Sequence, residues 1–64
     1  MKTVFEPINE NSSFSVEKDK ENDVLYFRSI TDYSNSPFYI SFALEKEEAL
    51  NLAQHILKLY SNNG

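Results

Sequence analysis

Residues 38–60 read FYISFALEKEEALNLAQHILKLY, and within this run the spacing of apolar side chains changes once. Phe38, Ile40, Phe42 and Leu44 recur at every second position, which sets them on one side of a pleated strand, with Tyr39, Ser41 and Ala43 on the other. After Glu45 the spacing becomes helical. At ~100° per residue from Ala49, the apolar positions fill an arc of roughly 180°, in the angular order Leu59, Leu52, Ile56, Ala49, Tyr60, Ala53, Leu57, Leu50. Ser61, Gln54, Glu47, Lys58, Asn51, His55 and Glu48 occupy the other half. Glu47 and Glu48 in the first turn and Lys58 near the end suit the helix dipole. Glu45 stands where a capping Ser, Thr or Asp is usual, and Asn62, Asn63 and Gly64 read as the stop.

Working back from this run, Val24 to Thr31 is rich in β-branched and aromatic residues, and Phe14-Ser15-Val16-Glu17 alternates with period two. The mixed-charge stretch 17–23 between them reads as a solvated hairpin loop, and the polar stretches 9–13 and 32–37 as further loops. Thr3 to Ile8 can add a leading strand only at an edge, because Pro7 lacks a ladder donor. The expected architecture is α+β: a small antiparallel sheet of three strands, or four with the leading one, packed against one C-terminal amphipathic helix. Strand 24–31 is apolar on both faces, so either face can turn towards the helix.

The 64 residues allow a single domain, 1–64, and Met1 reads as a native start. A chain of this size buries only about 60% of its unfolded surface, so small domains lean on disulfides, metals or partner subunits. The lack of cysteine removes disulfides and thiolate metal sites, a zinc site on the single histidine, His55, would need carboxylates or a second chain, and association is the aid left open. An aromatic share of 14%, five Phe and four Tyr, belongs to a folded chain and not to a disordered tail. The net charge is −4 and the six cations are scattered, so DNA or RNA recognition, which needs clustered phosphate-neutralising groups, is not expected. No apolar run has the length of a signal peptide core or a membrane span, which gives a cytoplasmic expectation without membrane contact.

Motifs for chemistry are missing. His55 lies on the polar side of the helix without a nucleophile or a cavity to serve. No serine sits in a nucleophile-elbow setting and no glycine-rich loop can cradle a phosphate. Asp19, Glu21 and Asp23 imitate the opening of a calcium loop, but Val24 and Ile30 stand where that loop needs Gly and Glu. No catalytic, cofactor or metal residue is therefore assigned, and a non-enzyme is expected.

Two surfaces exceed the needs of one subunit. A helix on a sheet requires an apolar stripe of a little over ~100°, and this one is far wider. One flank carries Leu52, Ile56 and Leu59, the other Leu50 and Leu57, and these five are the candidate oligomer interface. The competing arrangement has the sheet curl around the helix and cover both flanks. On the sheet, Tyr26, Arg28, Tyr39 and Tyr33 form a candidate binding face, since Tyr and Arg are enriched at binding hot spots. The expectation is a small acidic, non-catalytic interaction protein of bacterial or phage accessory type. It would act as a homodimer or larger homo-oligomer that inhibits or regulates another protein. The alternative is an oligomer that sequesters a nucleotide-like ligand on the Tyr/Arg surface.

Overall fold

The computed structural model describes residues 1–33 and 36–61. Four strands, β1 (Lys2–Phe5), β2 (Ser12–Lys18), β3 (Val24–Tyr33) and β4 (Ser36–Glu45), precede one helix, α1 (Lys46–Ser61). The strands lie in the order β1-β2-β3-β4 and each pairs antiparallel with the next, as short connections dictate. The α+β class and the order of strands before helix are those expected. The leading strand is present, and it ends at Phe5, short of Pro7 and on an outer edge.

The strands run further into the expected loops than the polar stretches suggest: β2 takes in Ser12 and Ser13 at one end and Glu17 and Lys18 at the other. β3 and β4 pair as far as Tyr33 and Ser36, so most of the stretch read as a 32–37 loop is strand. Pro37 sits opposite Asp32 within β4, tolerated because β4 is the other outer strand and one of its sides needs no ladder partner. Residues 34 and 35, and the stop expected at 62–64, lie outside the described residues.

Two connections are held by local polar groups in place of glycine. Asn11 has φ 59°, in the left-handed region that Asn adopts more readily than most residues. Its carbonyl accepts from the Asp32 amide at 2.9 Å, which ties the β1–β2 connection to the far end of β3. Between β2 and β3, the Asp19 carboxylate accepts from the Glu21 amide at 3.3 Å and from Asn22 Nδ2 at 3.0 Å. The Asp19 amide in turn donates to the Val24 carbonyl at 3.0 Å.

Directly opposed residues project to the same side of a sheet, so the register sorts every strand residue. Phe5↔Phe14, Val16↔Phe27, Phe27↔Phe42, Leu25↔Leu44, Ser29↔Ile40 and Thr31↔Phe38 share one face. All five phenylalanines of the chain fall on it, and Lys18, at its end, is its one charged strand residue. The other face carries Lys2, Glu17, Arg28, Asp32 and Glu45 between Tyr26, Ile30 and Tyr39.

The helix begins where the sheet ends. No residue separates Glu45 from Lys46, whereas αβ and βα reversals in compact domains take about 2–6 residues. α1 accordingly leans on β3 and β4 only through its first turns, where Ala49 and Leu50 approach Val24 and Leu25. It does not lie across the apolar face, and the seating of Ala49 and Ala53 against Phe38, Ile40 and Phe42 that a covering helix implies is not made within one chain. The molecule is a plate of 39 × 38 × 16 Å. Its radius of gyration of 14.0 Å compares with about 11 Å for a compact chain of this length.

Candidate functional site

Among the described residues, Phe27 alone is buried, at 7% exposure. It owes this to its place on β3, an inner strand, with Val16 on one side and Phe42 on the other. Phe27 stacks on Phe42 with ring centroids 5.1 Å apart and 7° between planes. Phe14 lies 6.1 Å from Phe27, and Phe5 6.0 Å from Phe14. Four rings thus form a row across all four strands, within the spacing at which aromatic pairs attract beyond their simple area burial. The two inner rings shelter between their neighbours, whereas the end rings Phe5 and Phe42 remain half exposed, Phe42 at 51%.

The apolar arc of α1 is bare. The five candidate interface residues range from 39% exposure at Leu52 to 69% at Leu57, with Leu50, Ile56 and Leu59 between. The sheet does not curl around the helix, so neither flank is enclosed by its own chain. Exposed area gives the scale of the deficit. The chain exposes 5753 Å², against about 4,200 Å² for a compact protein of 7.4 kDa.

On the opposite face the register brings together Tyr26, Arg28 and Tyr39. Tyr26 and Arg28 line an open depression of about 450 Å³ with Lys2, Ser15, Glu17, Ser41 and Ala43, and Tyr39 stands beyond it, opposite Ile30. Among the described residues no carboxylate lies within ion-pairing distance of Arg28. The Tyr26 hydroxyl donates to Asp19 Oδ2 at 3.4 Å, which fixes one end of the face to the β2–β3 connection. Tyr33 does not join this group. Seven residues from Tyr26 in an unbroken strand, it has the opposite parity and belongs to the phenylalanine face.

The β2–β3 connection is polar structure, not a ligand cage. Its carboxylate of note, Asp19, is held below the usual aspartate range, first by the hydrogen bond from the Asn22 side chain and then by the Glu21 amide. Lys18 Nζ donates to the carbonyls of Asp19 and Asn22 at 3.1 and 3.3 Å and lies 3.6 Å from Asp23 Oδ1. Its donors are thereby spent within the turn. Among the described residues no three His, Cys, Asp or Glu side chains gather as metal ligands, and no helix is long and apolar enough to cross a membrane.

Sequence reasoning named the helix flanks and the Tyr26/Arg28/Tyr39 group but missed the row of phenylalanines. Alternation carried only part of the signal: Phe14 and Phe42 sit in apolar runs of period two, whereas Phe5 and Phe27 have apolar neighbours of both parities. The offsets between those runs, which align the rings, depend on turns whose geometry rests on Asn11 and Asp19. Comparison with protein-family models, with curated proteins and with solved structures gives no match.

Proposed function

We propose that this chain is a non-catalytic interaction protein that works as a homo-oligomer, with a dimer as its basic unit, and that it presents the Tyr26/Arg28/Tyr39 face to another protein as an inhibitor or regulator. The observation that carries this reading is the surplus of about 1,500 Å² of exposed surface over a compact chain of equal mass. Obligate interfaces bury about 1,000–2,500 Å² per partner, and the surplus falls inside that range. Apolar side chains contribute to it on both elements: Phe5, Phe38, Ile40 and Phe42 on the sheet and Leu50, Leu52, Ile56, Leu57 and Leu59 on the helix are all exposed. Sedimentation velocity at micromolar concentration tests the first half: a dimer or higher species is expected, and a folded monomer overturns it.

A second reading, capture of a nucleotide-like ligand, draws on the guanidinium of Arg28, which has no carboxylate partner among the described residues and shares the depression with Tyr26. The depression has a volume within the range of ligand sites, roughly 300–1,000 Å³. It is only partly enclosed, however, and Glu17 in its lining opposes an anion. A broad, shallow face with Tyr and Arg at its centre fits a protein surface better than a small molecule. Thermal-shift measurements against nucleotides separate the two, because a ligand that binds only the folded chain raises its midpoint. No shift is expected at millimolar nucleotide, and a shift of several degrees that Arg28→Ala abolishes would favour the second reading.

A further inference from the structure

The two bare apolar surfaces of this chain match each other, and the chain cannot bring its own pair together. The phenylalanine face is uncharged except for Lys18 at its end, and the buried-type side chains run across its full width. A charged or strongly polar occupant would lose its own hydration against that face without compensation. The apolar arc of α1 offers Ala49 and Ala53 at its centre, with leucines on both flanks, a profile that lets a helix backbone come close to a sheet. The dimensions agree. Sixteen residues make a helix of about 24 Å. Four strands at ~4.8 Å spacing make a face about 19 Å wide once side chains are included.

The direct passage from Glu45 to Lys46 keeps α1 off its own sheet, and β4 is an outer strand. The helix therefore departs from the rim, the place where a neighbouring copy finds room. We infer that two copies assemble by reciprocal exchange, each laying its α1 across the phenylalanine face of the other. This rests on the self-association proposed above and goes beyond it, by naming the surface that each helix meets. A dimer built from helix against helix alone would leave both phenylalanine faces wet. A dimer built by exchange covers the faces and the helix arcs in the same step, as the size of the surplus surface requires.

The natural lack of cysteine permits a clean test. Ser29 lies on the phenylalanine face between Phe14 and Ile40, and Ala53 lies near the centre of the helix arc. Chains carrying Ser29→Cys and chains carrying Ala53→Cys, differing in size by a tag, are unfolded together, refolded, oxidised and run on a non-reducing gel. A mixed disulfide-linked dimer is expected in several-fold excess over either self-linked dimer. The pair Thr31→Cys with Ala49→Cys repeats the measurement one step along both elements. Self-linked Ala53→Cys dimers without mixed species at either pair would overturn the exchange while leaving self-association standing. A monomer in sedimentation, with the double variant Ser29→Cys/Ala53→Cys closing a disulfide within one chain, would overturn both.

Discussion

Phe27 is the residue on which the fold of a single chain turns, because no other described side chain is withdrawn from water to the same degree. Truncating a buried phenylalanine costs about 3–5 kcal/mol, a large part of what a chain of this length commands. Phe27→Ala is therefore expected to abolish the cooperative melting transition seen by circular dichroism, and Phe27→Leu to lower its midpoint without abolishing it. Asp19 acts through its hydrogen bonds in the turn. Its folded pKa is depressed, so the stabilising contribution is complete above the unfolded aspartate range and is lost as pH falls through the lowered folded value. A carboxyl-carbon NMR titration should place its midpoint below that of an unstructured aspartate, about 3.9. Asn22→Ala should move the midpoint upwards, because the Asn22 side chain is the leading cause of the depression.

At the scale of elements, the order of strands and helix was legible in the sequence because periodicity is local. FYISFALE alternates and the residues from Ala49 onward do not, and no tertiary contact is needed to see it. The faces of β3 were not legible, since Val24, Tyr26 and Ile30 are as apolar as Leu25, Phe27 and Tyr33, and only the pairing with β2 and β4 decides between them. The same pairing removed Tyr33 from the face to which composition had assigned it. The position of α1 was not legible either, because amphipathicity reports that a helix has an apolar side and not which surface meets it. On that side, charges should be poorly tolerated. The double substitution Leu52→Glu/Leu59→Glu is expected to shift the sedimentation profile from dimer to slower species and to lower the thermal midpoint by 10 °C or more, on the order of 2 kcal/mol for a chain of this size. Gln54→Glu, at mid-helix on the solvated half, should change neither.

For the whole molecule, a plate 16 Å thick has no interior to speak of. One layer of sheet with a helix beyond its edge does not enclose a core, and domains are stable only when two layers face each other. Folding and association should then be one event. The thermal midpoint is expected to rise by several degrees for each tenfold increase in chain concentration, as mass action requires of an obligate oligomer. A midpoint constant between 1 and 100 µM would contradict this.

The seamless passage from Glu45 into Lys46 has a further consequence, for stoichiometry. If the junction is what denies each chain the use of its own helix, a slack tether there should restore that use. Four to six glycine and serine residues inserted between Glu45 and Lys46 would let the helix double back, and the assembly should collapse to closed monomers that melt at the same temperature at any dilution. How many copies make one functional particle would then be written in the length of a single peptide joint.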